Sequence, residues 1–281
     1  MDNIANKTTK GMKNLKVLLL MTMLTLFAVT ASGQCSFRNT AFKSGEFLSY
    51  NLYYNWKFVW VKAGTASMYI VQSKYKGHPA YRTSLTTRGS SKVDNVFILR
   101  DTLLSYSTLD LAPLYYRKGA HEGKRYTVDE IWYKYAGGKS HVTQSRKHRD
   151  GHKNVRTFST EDCVYDMMNI YMRARSFNPS NWKAGYVVHF PIADGNGTNP
   201  AQLKFRGRKV IKADNGVKYR CLELSYIEKD DGEWKEIVRF FVTDDSNHIP
   251  VRLDMFLKFG SAKAFLTNIR GARNRITSIV K

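Results

Sequence analysis

Apolar and polar residues alternate with a period of two along most of the chain, the pattern of strands that bury one face. In 46–56, Leu48, Tyr50, Leu52, Tyr54 and Trp56 share one side, and Ser49, Asn51 and Asn55 share the other. In 63–73, Gly64, Ala66, Met68 and Ile70 face one way. The same reading predicts strands over 80–87, 97–105, 114–121, 126–135 and 156–158. After the midpoint it predicts 186–190, 201–211, 218–227, 234–243, 249–259 and 264–276. The links carry turn chemistry, such as Gly137-Gly138, Asp214-Asn215-Gly216 and Asp230-Asp231-Gly232.

One segment breaks this rhythm. Ser159-Thr160-Glu161-Asp162 has the polar caps and acids of a helix start. Val164, Met167, Met168, Tyr171 and Ala174 then recur at helical spacing, and Arg173 and Arg175 suit the negative end of the dipole. Asn178-Pro179 should stop the helix. Many hairpin-linked strands and one amphipathic helix predict a mainly β fold. It would be a large curled antiparallel sheet or a partly closed barrel, since such a sheet must hide its edges. No linker divides residues 34–281, which read as a single antiparallel β domain.

Residues 1–33 read as a signal peptide. Lys7, Lys10, Lys13 and Lys16 precede an apolar stretch over 17–29, and Ala31-Ser32-Gly33 places small residues where a signal peptidase reads them. Met12 offers an alternative start. Thirteen helical residues rise about 20 Å, too little for a hydrocarbon core of ~30 Å. Cys35 raises the question of a lipid anchor, but Gln34 stands where lipoprotein processing needs a small residue. Cleavage after Gly33 is the expectation, giving a periplasmic or envelope-associated protein. In an oxidising compartment Cys35, Cys163 and Cys221 allow one bridge and one free thiol.

Forty-five Lys+Arg against 23 Asp+Glu give the chain a formal charge of +22. Nucleic acid is the generic partner of such charge, but export excludes it. Anionic lipid headgroups or acidic glycans fit better. Dense basic runs lie over 117–125, 146–156, 204–212 and 270–275, and the hairpin carrying Arg146, Lys147, Arg149 and Lys153 is the expected anionic-surface contact.

Four stretches in order carry a resemblance. They are Gly45-Glu46-x-Leu48-x-Tyr50 leading to Ala63-Gly64, and Val93-Asp94 through Arg100-Asp101 to Leu111-Ala112-Pro113. Asp162-Cys163-Val164-Tyr165-Asp166 follows, then Phe241-Val242-Thr243-Asp244-Asp245 with Ile249-Pro250-Val251-Arg252-Leu253 and Phe259-Gly260. Over roughly 45–270 the chain resembles the exported bacterial family catalogued as domain of unknown function 3108. The Ala31-x-Gly33-Gln34 pattern looks like that of Bacteroidetes-type exported proteins. The resemblance implies an envelope protein with a mostly antiparallel β fold, and it carries no catalytic residues to transfer.

No nucleophile elbow, H-E-x-x-H or paired C-x-x-C motif occurs. His148 and His152 flank a turn rather than a helical turn, so no metal site is expected there. Asp194-Gly195-Asn196-Gly197-Thr198 starts like a calcium loop but lacks the later bidentate Glu. No catalytic residue, metal or cofactor is therefore assigned. The leading expectation is a non-enzymatic carrier whose concave aromatic face binds an apolar or amphipathic envelope molecule, lined by Tyr50, Tyr54, Trp56, Met68 and Phe97. The alternatives are a hydrolase of envelope glycan or lipid using acids such as Asp94 and Asp101, and a structural or assembly partner of an outer-membrane complex.

Overall fold

The computed structural model describes residues 33–56, 59–91, 98–123, 125–257 and 260–281. The signal peptide expected over 1–33 lies almost wholly outside the described residues. The strands are β1 (Glu46–Trp56), β2 (Val59–Tyr75), β3 (His78–Gly89), β4 (Leu99–Ser107), β5 (Pro113–Glu122), β6 (Arg125–Ala136), β7 (Lys139–His148) and β8 (Lys153–Thr160). Helix α1 (Met167–Arg175) follows, then β9 (Val187–Ala193), β10 (Thr198–Lys212), β11 (Lys218–Asp230), β12 (Glu233–Thr243), β13 (Pro250–Leu257), β14 (Gly260–Arg270) and β15 (Ile279–Val280).

All of them form one 15-stranded antiparallel sheet in the order β8 to β1, then β14 to β9, with β15 against β11. The long β1–β14 pairing joins the first half of the chain to its end, with Leu48 opposite Ile269 and Leu52 opposite Ala264. Bulges in β2, β5, β10, β12, β13 and β14 sharpen the twist and curl the sheet. Among the described residues, the curled sheet with the helix α1 against it is the architecture that the alternation predicts.

The curl is not closed by backbone pairing. The β9 end meets the other half of the sheet at β6 and β7 instead. The turn after β9 lies on the inner face of β6 and β7: Gly195 N–H donates to Gln144 Oε1 (3.0 Å), and Gln144 Nε2 donates to Thr198 Oγ1 (2.9 Å). Gly195 has φ +92°, and a Cβ there would meet the Asp129 side chain at 2.5 Å, so this approach requires glycine. Tyr165 adds a parallel bridge to Ile192.

Helix α1 sits inside the curve. Met168 joins the main core with Leu48, Tyr50, Leu103 and Ile131, and Ile170 packs with Phe190, Leu203 and Leu224. Met172 joins Phe42, Ile70 and Tyr81. One helix thus belongs to three apolar clusters. Burying each of these large side chains contributes roughly 1.5–3 kcal/mol. A segment preceding β1 straps the helix from its other side, through the Cys35–Cys163 disulfide and an edge-on contact of Phe37 with Phe177.

The structure corrects the predicted helix start. Asp166, not the 159–162 segment, is the N-cap, accepting from the Met168 and Asn169 backbone N–H groups (3.0 and 2.9 Å). Ser159 and Thr160 belong to β8, and 161–166 is committed to the disulfide and the Ile192 bridge, so it cannot coil. Strand β7 is a second difference, since no strand is predicted over 139–148.

Candidate functional site

Between α1 and the inner faces of β10–β12 lies an apolar cavity of about 90 Å³. Strand alternation supplies its floor. Leu203 on β10, Leu222, Leu224 and Tyr226 on β11, and Val238, Phe240 and Val242 on β12 all face inward. Strand β11 is buried on both faces: on its other side Tyr219 and Cys221 join the main core, and Glu223 pairs with Lys209 (2.9 Å). The roof is Ile170, Tyr171 and Ala174 of α1, with Phe177, Pro179 and Trp182 just beyond it. Trp182 stacks on Tyr186 (4.9 Å between centroids), which fixes that flank.

Polar groups gather at one end, where Arg175 and His248 meet the lining. Arg175 is fully engaged. Its Nη1 and Nη2 reach the Glu46 carboxylate at 2.5 and 3.0 Å, and Nε and Nη2 donate to the Asn247 carbonyl. His248 has φ +43°, a left-handed conformation set by the β12–β13 turn, in which His248 N–H donates to the Asp245 carbonyl. Its Nδ1 donates to the Arg175 carbonyl (2.5 Å), leaving Nε2 as the unprotonated ring nitrogen. Burial holds this imidazole below its ordinary value, so it stays neutral. The result is an apolar slot with a neutral imidazole among its walls.

The lining expected from sequence is elsewhere. Tyr50 and Met68 are buried in the main core, and the Tyr50 hydroxyl donates to the Pro250 carbonyl (3.1 Å). Tyr54 reaches the β14 end, its hydroxyl beside Gly260. None of these three lines the cavity. Phe97 and Asp94 lie outside the described residues, as does the side chain of Trp56. Strands β1 and β2 stand mid-sheet, where the helix fills the space in front of them. The cavity occurs nearer an edge, and its signal in sequence was only that β10–β12 alternate as other strands do.

The basic cluster also divides. Arg146 points inward, 16% exposed, and pairs in bidentate fashion with Asp129 (2.6 and 3.0 Å) beside the Asp194 turn. Lys147, Arg149 and Lys153 are exposed at the β7–β8 hairpin, and Lys147 stands directly opposite Lys153. Arg146 therefore closes the seam and is not part of an outer surface.

The 148–152 segment is a tight turn closed by His148 N–H to the His152 carbonyl (2.8 Å). Asp194 Oδ1 accepts from Asn196 and Gly197 N–H groups (2.7 Å each), as in an ordinary turn. Among the described residues no group of three or more His, Cys, Asp or Glu is placed to hold a metal. Cys221 is a buried free thiol, and burial pushes it up to about 12.

No curated protein matches the chain. Among solved structures it is similar to a β-barrel-like protein of domain of unknown function DUF1849 from Brucella abortus. The identity is 12%, with 86% of this chain and 100% of that one covered and a TM-score of 0.52. Lower scores relate it to a protein with a YmcC-like fold from Bacteroides fragilis (9% identity, 84% and 100% covered, TM-score 0.35). A candidate lipoprotein from Parabacteroides distasonis scores similarly (10%, 84% and 99%, TM-score 0.30). The first likeness supports the barrel-like fold and nothing finer. A family profile described as "Protein of unknown function (DUF3108)" matches residues 49–267, and the chain belongs to that family.

Proposed function

We propose that this is an exported cell-envelope protein that binds an apolar or amphipathic molecule without chemically altering it. The observation that carries the reading is the cavity between α1 and β10–β12. An unfilled apolar cavity of about 90 Å³ costs about 2 kcal/mol at ~24 cal/mol per Å³, and an occupant recovers that loss. The size also limits the occupant. A cavity of ~150 Å³ holds benzene, so this one takes the end of an acyl chain or a similar tail, with the rest of the molecule outside. His248 Nε2 offers an acceptor to a hydroxyl or acid group of the ligand.

Export rests on the leader sequence and on the Cys35–Cys163 disulfide, which suits an oxidising compartment. A disulfide-bonded Cys35 sulfur has no valence left for the thioether of a lipoprotein. The mature chain is expected to begin at Gln34 without acyl chains, and intact-mass measurement of protein recovered from the envelope reads this directly.

Ligand binding is tested by displacement of a fluorescent fatty acid, with Leu224→Trp filling the slot. The wild type is expected to bind the probe and the variant to lose it while melting normally. Equal binding by both, or binding by neither, rejects the assignment.

A further inference from the structure

The apolar hairpin tips at β1–β2 and β13–β14 form a second surface. Strands β1 and β14 are hydrogen-bonded neighbours, with Tyr54 opposite both Val61 and Ala262, so the two tips stand side by side. A strand on a curled sheet should bury every second residue. Here Val59, Trp60, Val61 and Lys62 are all exposed, as are the consecutive residues Phe256 and Leu257. Val59 is 63% exposed, Val61 44% and Leu257 49%. Both faces of both hairpins therefore stand clear of the core, and both are apolar.

The charges beside them are mostly of one sign: Asp254, opposite Lys263, is held in a bidentate pair by Arg252 (2.6 Å). Residues 53–66 and 255–267 contain four lysines and no acid. Lys263 lays its ammonium over the Trp60 ring at 4.1 Å. The next tip, between β11 and β12, carries Asp230, Asp231 and Glu233 and marks where the patch ends. A tryptophan at the junction of apolar and cationic groups is the chemistry of a membrane–water interface.

We propose that these two hairpin tips dock the protein on an anionic lipid surface, with Val59, Trp60, Val61, Phe256 and Leu257 entering the headgroup region and Lys62 and Lys263 meeting the phosphates. A second copy of the chain is the weaker occupant, since a symmetric contact would press lysines against lysines. The surface lies past the cavity: the cavity's lining runs along β12 from Val242 to Val238, opposite Met255, and Phe256 and Leu257 lie beyond it.

The test is flotation with vesicles of phosphatidylglycerol mixed into phosphatidylcholine, and with phosphatidylcholine alone. Brominated-lipid quenching of tryptophan reports insertion. The wild type is expected to float with the anionic vesicles and be quenched. Trp60→Ser with Phe256→Ser should lower partitioning about tenfold or more. Lys62→Gln with Lys263→Gln should weaken it and flatten its salt dependence. These side chains are exposed, so each variant should melt like the wild type, and Leu224→Trp should float unchanged. The proposal is overturned if the protein floats equally with both vesicle types, or if the Trp60/Phe256 variant floats undiminished. It is also overturned if sedimentation shows a dimer that these substitutions dissociate while flotation is absent.

Discussion

The Glu46–Arg175 ion pair is the point where the helix is fastened to the sheet, and Glu46→Gln tests what that fastening contributes. The side chains are 0% and 2% exposed, and two parallel N–H···O bonds join them. Arg175 also gives two hydrogen bonds to the Asn247 carbonyl, so its remaining donors are largely satisfied. Taking both charges out of water is costly, and their attraction roughly offsets that cost, so the intact pair is worth little net. Removing one partner is different, because the other charge stays buried without compensation. Glu46→Gln should therefore cost about 3–5 kcal/mol, a fall in Tm of about 6–20 °C at the ~2–4 °C per kcal/mol expected for a domain this size. The double variant Glu46→Met/Arg175→Met removes both charges at similar volume and should recover at least half of that loss. It retains a deficit because the Asn247 carbonyl loses its donors. Urea unfolding of the three proteins measures all the terms. A loss below about 1 kcal/mol in Glu46→Gln, or a double variant no more stable than the single one, would refute the reasoning.

Two further outcomes follow from the same region. The Cys35–Cys163 bridge closes a loop with a sequence separation of 128, for which chain entropy gives up to about 5 kcal/mol. Replacing both cysteines with serine should lower urea stability by about 2–5 kcal/mol, and an unchanged midpoint would mean the strap is held by packing alone. Burial raises the Asp166 carboxyl from 3.8 to about 6, against hydrogen bonds from Asn169, Tyr133 and Met168 that favour the carboxylate. The folded state thus holds this proton more tightly than the unfolded one. Its stabilisation is full below about pH 4 and lost as pH rises through about 6, a swing of up to about 3 kcal/mol. Asparagine caps a helix as well as aspartate. Wild-type stability measured relative to Asp166→Asn should accordingly fall from pH 4 to 7, and a rise would contradict the assignment.

The strands were legible where their inner face is apolar. Strand β1 was read at its observed bounds, and β5, β6 and β12 to within a residue at each end. Strand β7 escaped because its inward positions include Ser140, Gln144 and Arg146, which erase the alternation. Those polar residues face inward because they meet the β9–β10 turn and Asp129, where the β9 end meets the other half of the sheet. The strand hardest to see is thus one that helps close the structure. The helix start was misread for a related reason. Ser159-Thr160-Glu161-Asp162 has the local chemistry of a cap, but tertiary pairing of 163–165 takes precedence over local preference.

The cavity was not legible, and barrel geometry says why. Alternation marks which residues face inward but not whether anything stands in front of them. Side chains alone fill a barrel of about eight strands, and the interior widens with strand number. A sheet of 15 strands therefore encloses more volume than its own inward residues can occupy. Helix α1 takes the space before β1 to β4, through Asn169 to Ser105 and Met172 to Thr83, and the strap behind it adds Phe42. These plugs lean toward the first half of the sheet, because Glu46 on β1 anchors the helix end and Cys163 anchors its approach. What remains unfilled lies before β10–β12, under Ile170 and Ala174. The site's position follows from where the helix is tied down, through contacts more than a hundred residues apart in sequence, which no local pattern encodes.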